Sequence, residues 1–340
     1  MLQTGKIAVV GAGIAGLTVA RFLSAVADVT VFEKSRGVGG RMATRRIGEN
    51  SFDHGAQYFT IRDPLFHDAL DVAIDEGVIE AWTGMIGVST SASPHIEQYR
   101  SREPRFVGTP HMTSLPKWLA RGLSIRLGEK IHGIKGVSRR WCLASDTGDF
   151  GPFDWVVITS PVAQCLELMP HEFKERDRIA SARMSSCFTL MIDAERSPIT
   201  PFCAVRFDDE VIGWIADGST RPHRHDSISV VVHSRNRWAD LHINEDASKV
   251  QDIMMRRLSE LMPGFKDSTH AVGIHRWRYA SVKTPVGGEP LIDFDEGLAA
   301  CGDWTLGNRV EAAFLSAART AEGIKTTFLE PIGDACGGKP

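Results

Sequence analysis

The stretch VVGAGIAG, residues 9–16, constrains this chain more than any other. Gly11, Gly13 and Gly16 stand at the spacing G-x-G-x-x-G. A short apolar run at residues 6–10 precedes them, and Ala, Leu, Phe and Val at helical spacing follow over residues 14–27. A second apolar run at 29–32 closes on Glu33. Strand, helix and strand within about 30 residues make a βαβ unit. The glycine pattern alone is weak. At a strand-to-helix junction, with an acid ending the second strand, it has the full context of a dinucleotide site. Gly11 permits the tight turn, Gly13 lets a pyrophosphate approach the backbone, and Gly16 lets helix and strand pack closely. The helix start offers free N–H groups and a partial positive charge to phosphates. Glu33 can accept hydrogen bonds from an adenosine ribose.

The next segment, VFEKSRGVGGRMATRR, packs five basic side chains around the pair Gly39-Gly40. A nucleic-acid patch is a poor reading, because the 340-residue chain carries a net charge of −3, and dedicated nucleic-acid binders carry a basic excess. The segment directly follows Glu33, so it lies beside the same ligand. Gly37, Gly39 and Gly40 let the backbone fold over that ligand, and Arg41 offers a fork of donors to a phosphate. Arg36 is read as facing the ligand, Arg45 and Arg46 as solvated. FAD-binding proteins of the amine-oxidase superfamily carry a pattern of this kind after the ribose acid.

The remaining chain bounds the class. With 43% hydrophobic and 24% charged residues it is an ordinary globular composition, long enough for two domains. The six cysteines form no CxxC pair, which argues against a zinc ribbon or a thioredoxin-type redox centre and fits reduced thiols in a cytoplasmic protein. The apolar stretch at 7–20 resembles the core of a signal peptide, but its glycines are better explained by the fingerprint. No run approaches the ~20 apolar residues that cross a bilayer. Residues 86–95, IGVSTSASPH, read as a polar loop, 123–157 as a small meander closing on a buried strand, and the tail 334–340 as flexible. His223 and His225 lack further ligands at site spacing, so no metal is expected. His54 reads as a hydrogen-bonded structural histidine.

Only one complete fingerprint exists, so a two-dinucleotide flavin reductase is disfavoured. A one-site protein uses NAD(P) as cosubstrate or keeps FAD bound. The segment ACGDWTLGNRVEAAFLSA favours FAD. It couples a strand to Gly302-Asp303 and then to a helix, an arrangement that in this superfamily brings the acid to the ribityl and pyrophosphate region. Arg309 opposes the dipole at the start of that helix, so some anion or polar ligand should offset it.

Four blocks then carry a closer match: VVGAGIAGL, EKSRGVGGRMATRR, FDHGAQYFTIRD at 52–63, and HRWRYA with CGDWTLGNRVEAAFLS. In these the chain resembles the bacterial renalase family. The resemblance implies an α/β fold of the p-hydroxybenzoate hydroxylase type: a Rossmann-like FAD-binding domain with a substrate domain built on a mixed β-sheet. The FAD domain would be discontinuous, from 1–62, 105–160 and 285–330, and the substrate domain would hold 63–104 and 161–284. FAD would be noncovalent. The cofactor set would be Gly11, Ala12, Gly13, Ile14, Ala15, Gly16, Glu33, Lys34, Arg36, Gly40, Arg41, Met42, Gly55, Ala56, Gln57, Ile131, Gly302, Asp303 and Val310. The substrate side would be Tyr58, Phe59, Thr60, Ile61, Arg62 and Arg309. Ala312 and Ala317 stand where relatives tend to have glycine, and region 86–106 matches poorly.

The activity implied is oxidation of the 2- and 6-dihydro isomers of NAD(P) to the oxidised coenzyme, with O2 reoxidising the flavin to give H2O2. The partners would be the small-molecule substrate and O2, with no nucleic acid and no membrane. The product ring is aromatic, so no essential general base is expected, and Tyr58, Phe59, Trp277 and Tyr279 are read as shaping a stacking face. A flavin amine oxidase is the alternative. Such enzymes commonly hold a lysine near the flavin on a substrate-domain strand, and residues 185–192 contain none. A desaturase-like FAD enzyme and a noncatalytic FAD-binding protein also stay open.

Overall fold

Two large sheets organise the chain. The computed structural model describes residues 5–90, 93–101, 103–224, 228–262, 265 and 269–329. His225 and the tail 334–340 lie outside them.

The first sheet has six strands, in the order Leu291–Asp293, Leu298–Ala300, Trp155–Ile158, Lys6–Val10, Asp28–Glu33 and Ser124–Leu127. All neighbours are parallel except the first pair. Parallel strands covered on both faces read as continuous apolar runs, which is why KIAVV and WVVI lack alternation. Trp155, Val156, Val157 and Ile158 are wholly buried, each contributing about 1.5–3 kcal/mol by leaving water. The helix Ile14–Leu23 covers one face and packs against the helix Val310–Leu329. It is shorter than the run 14–27 suggested. Residues 24–27 instead turn back on Ala20 and Leu23 and deliver Asp28 into register opposite Lys6.

The second sheet has seven strands, in the order Thr269–Thr284, Arg183–Ala194, Ile228–Ser234, Ile212–Asp217, Ala204–Phe207, Ile86–Thr90 and Ser93–Tyr99. It is mixed: Ile86–Thr90 runs parallel to Ala204–Phe207, and the other pairings are antiparallel. The helix Ala247–Leu261 packs on it through Val250, Met254 and Leu258. The polar loop expected at 86–95 is therefore corrected to the start of a hairpin. Its serines and threonines hide a strand whose partner lies far along the chain, where no local pattern announces it. A small antiparallel sheet of Ile131–Val137, Arg140–Ser145 and Gly148–Phe153 forms the meander.

Candidate active site

The first glycine loop meets the second. Gly39 N–H donates to Ala12 O at 2.8 Å, and a Cβ placed on Gly40 would lie 3.6 Å from the Gly13 Cα. Gly11 has φ +111°, which disfavours any side chain. A Cβ on Gly16 would come within 1.8 Å of Gly11 O, so the close packing read from the sequence is literal. A Cβ on Gly13 would meet nothing within 4 Å among the described residues. That opening sits at the start of the helix Ile14–Leu23, whose first turn has neither a side-chain cap nor an acid. An uncapped helix start beside an open glycine fits a phosphate.

Glu33 is buried at the end of its strand. Its Oε2 accepts from Ala12 N at 2.8 Å and its Oε1 from Ser35 N at 2.8 Å. Each carboxylate oxygen keeps a lone pair for a ribose hydroxyl. Ile131 shares an apolar cluster with Val10, Phe32 and Trp304. Ile14, Ala15 and Met42 are buried beside the loops, while Lys34 and Arg36 are exposed, with Lys34 Nζ 3.3 Å from Gln164 Oε1. Arg45 and Arg46 are exposed, as expected of solvated residues.

Arg41 makes a different use of its fork from the phosphate contact expected. Nη1 and Nη2 donate to Asp303 Oδ2 at 2.7 Å and Oδ1 at 2.6 Å, and Nη1 also reaches Ala280 O at 3.2 Å. Burial alone would lower the Arg41 pKa, but the charge and hydrogen bonds of Asp303 raise it overall. Asp303 opens the short helix Asp303–Leu306 without capping it, and both of its carboxylate oxygens turn to Arg41 instead. It joins the second glycine loop to the C-terminal segment. Gly55 lies against Arg41 as well, since a Cβ there would fall 2.0 Å from Arg41 O, and Ala56 N donates to the same oxygen at 2.9 Å.

Gln57 is held at both ends of its amide. Nε2 donates to Asp53 O at 2.6 Å and Gly55 O at 3.0 Å, and Oε1 accepts from Arg221 Nη2 at 3.0 Å. Arg221 is 1% exposed and belongs to a hub that sequence reading missed. Asp53 Oδ2 accepts from Arg221 Nη1 at 3.1 Å and Arg224 Nη1 at 2.7 Å, and Oδ1 accepts from Thr44 Oγ1 at 2.5 Å and Met112 N at 3.1 Å. Burial pulls the Arg221 pKa below the usual arginine value, against the opposing pull of Asp53.

His54 departs from the expected satisfied histidine. Its Nδ1 is buried with no hydrogen-bond partner among the described residues. Its carbonyl oxygen is the bonded group, accepting from Thr189 Oγ1 at 2.8 Å and Trp277 Nε1 at 3.0 Å. Thr189 stands in register between His233 and His275 across three strands of the second sheet. Burial, then His275, Arg45 and His233, push the His54 pKa down to about 3. Burial takes His233 and His275 to about 4. Trp277 packs with these rings, 5.0 Å from His54 and 4.2 Å from His275.

The substrate-side residues of the sequence reading gather around one cavity of about 330 Å³. Tyr58, Phe59, Thr60, Arg62 and Arg309 line it, together with Val310 from the cofactor set. Ile61 instead packs on the core, and Phe59, only 3% exposed, stacks on Phe106 at 6.2 Å and serves that core as well. Tyr58 stands between Trp82 at 6.4 Å and Trp214 at 6.1 Å. Tyr99, Ser101, Glu103, Arg105 and Asn308 complete the wall and were missed, four of them in the region that resisted matching. The anion that offsets Arg309 is in the chain itself: Glu311 Oε2 lies 2.9 Å from Arg309 Nη1. Glu311 is buried in the first turn of the helix Val310–Leu329, and its Oε1 accepts from Arg62 N at 2.6 Å and Asp63 N at 2.8 Å. A first-turn acid two places after a basic helix start was the available signal.

A Rossmann-like sheet with two glycine loops, the second clamped to a C-terminal acid, together with a mixed sheet, marks a dinucleotide-dependent oxidoreductase of the flavoprotein type. The "NAD(P)-binding Rossmann-like domain" description matches residues 9–71, and "Flavin containing amine oxidoreductase" matches residues 60–325. The chain belongs to the flavin-containing amine oxidoreductase family, within which it is renalase-like. Renalase of Mus musculus is 25% identical over 313 residues, covering 84% of this chain and 87% of the mouse protein. A protein of Exiguobacterium sp. 255-15, provisionally assigned as a protoporphyrinogen oxidase, superposes with TM-score 0.75 at 14% identity, over 96% of this chain and 99% of its own. A putrescine oxidase with putrescine bound superposes with TM-score 0.70, also at 14% identity, over 96% and 99%. These two likenesses bear on fold alone. Among the described residues no helix is long and apolar enough to cross a membrane.

Proposed function

We propose that the chain is an oxidase holding FAD noncovalently and oxidising 2- and 6-dihydroNAD(P) isomers to NAD(P)+. In this reading the six-stranded sheet and its loops form the cofactor domain, and the seven-stranded sheet carries the substrate domain. One observation supports it most: Tyr58, Phe59, Thr60 and Arg62, remote in sequence from Arg309, meet it at a single cavity. Its volume is within the range of small-molecule sites.

Bound flavin would supply a two-electron acceptor and return the electrons to O2 as H2O2. The protein's task is then placement. Glu33 and the uncapped start of the helix Ile14–Leu23 hold the ribose and pyrophosphate. Tyr58, braced by Trp82 and Trp214, gives a flat wall for a planar ring, and Arg62 and Arg309 meet its anionic substituents. A dihydropyridine that loses a hydride becomes aromatic, so no side chain has to take a proton from it. The neutral histidines His54, His233 and His275 fit that requirement, since none stands as a charged acid near pH 7. Orientation of this kind can supply about 7–11 kcal/mol.

The test is to purify the yellow protein and mix it anaerobically with the dihydroNAD(P) isomers and with amines, following flavin absorbance. Rapid bleaching by the 2- or 6-dihydro forms is expected. Bleaching by amines alone overturns the reading in favour of an amine oxidase.

A further inference from the structure

The cavity mouth carries two arginines, each with its own carboxylate, and the two pairs are built differently. Arg309 pairs with Glu311, which is 2% exposed and fixed by two backbone N–H groups. Arg62 Nη2 pairs with Glu103 Oε2 at 2.5 Å, and about half of each side chain is exposed. The Arg62 backbone is pinned by Glu311, so its side chain alone is free to change partner. The Glu103 backbone is fixed by Ser101, whose Oγ accepts from Glu103 N at 3.1 Å. Exposed pairs of this kind contribute little to stability and exchange readily.

We propose that Glu103 is a specificity-determining residue: it occupies Arg62 in the free enzyme as a stand-in for an anionic group of the ligand, which must displace it. The ligand class is a phosphate or pyrophosphate ester, and its assignment as substrate rests on the reading above. Glu103 acts twice in the same direction. It takes the guanidinium that a phosphate would use, and its charge repels an incoming anion at the cavity wall. A weakly anionic ligand cannot make the exchange, so the pair selects for phosphorylated compounds that bring enough charge to replace a carboxylate. Glu311 cannot be displaced in this way, because it is buried and holds the turn at Arg62 and Asp63.

The test titrates inorganic pyrophosphate into the oxidised FAD-loaded protein by calorimetry, so no turnover is needed. Glu103→Gln should bind it about three- to tenfold more tightly than the wild type at low salt, with the gain shrinking as ionic strength rises. Arg62→Ala should bind it more weakly, and adding Glu103→Gln to Arg62→Ala should restore much less than it gains alone. A residue that merely stabilised the wall would show the opposite sign, weaker binding on its loss. Unchanged or weaker binding by Glu103→Gln, or the same gain without Arg62, overturns the proposal. A wild type that binds pyrophosphate but is not bleached by dihydroNAD(P) isomers sinks the substrate assignment alone.

Discussion

Arg41 and Asp303, 262 residues apart, face each other through two hydrogen bonds of 2.6 and 2.7 Å. The second glycine loop is thereby locked to the strand-to-helix turn near the C-terminus. Asp303 is nearly inaccessible, whereas Arg41 is about a third exposed. Asp303→Asn should keep the shape and lose the charge, leaving a buried amide against a cation. We expect a loss on the order of 1–3 kcal/mol and a flavin that dialyses away. The 450-to-280 nm absorbance ratio before and after dialysis reads the second effect, and urea unfolding the first. Full flavin retention in the variant would show that the clamp is structural only.

The glycines of the first loop should separate fold from cofactor binding. Gly16→Ala drives a Cβ into Gly11 O at 1.8 Å, which no rotamer relieves. That variant should be poorly folded as well as colourless. Gly13 has φ −78° and ψ −177°, conformations open to alanine, and open space around its Cβ. Gly13→Ala should unfold at the apoprotein's own temperature yet take up FAD at least tenfold more weakly, because the methyl fills the space read for the pyrophosphate. Thermal melts of the apo forms and FAD titration by fluorescence quenching decide it. Equal FAD affinity in Gly13→Ala would remove the phosphate from that opening.

Asp53 concentrates four donors on one carboxylate, two of them from Arg221 and Arg224. Asp53→Asn leaves the buried Arg221 guanidinium without its nearest counter-charge. Breaking a buried pair in this way destabilises by about 3–5 kcal/mol. Equilibrium unfolding of the apo form in urea should show the loss. A difference under about 1 kcal/mol would mean that Asp217, also close to Arg221, carries the balance instead.

The sequence signals that proved legible are local ones. The first strand, the glycine turn, its helix and Glu33 lie within one short segment, so periodicity and spacing suffice to find them. The fold class came through the match of blocks, as did the grouping of 58–62 with Arg309, of which the cavity brings all but Ile61 together. What stayed hidden depends on distant partners. The hairpin at 86–99 needs Ala204–Phe207 beside it. Arg221 looks like any loop arginine until the 218–224 turn packs beneath Asp53 and Gln57. Spacing assigns the Arg41 fork to a phosphate because nothing near it in sequence names Asp303. Charge pairing across the fold leaves no trace in spacing.

Acid should weaken the protein before its carboxylates titrate. His54 falls to about 3, His233 and His275 to about 4, all from burial first, and His111 is lowered in the same direction. In the unfolded chain these rings titrate near 6.5. Between pH 6.5 and about 4 the unfolded state therefore binds more protons than the folded one, and stability falls as pH falls. Each ring held neutral in the folded state removes about 1.4 kcal/mol per pH unit in that window. Stability should be level above pH 7 and decline between pH 6.5 and 5, a range in which lowered carboxylates such as Asp209 stay ionised. Urea unfolding of the wild type and of His54→Gln at pH 7.5, 6.0 and 5.0 checks this, with a shallower decline expected in the variant. For the same reason the rate of flavin bleaching should show no histidine titration between pH 6 and 8. A bell-shaped rate profile centred in that range would give one of these rings a proton to move, and the account of a reaction run by placement alone would have to be abandoned.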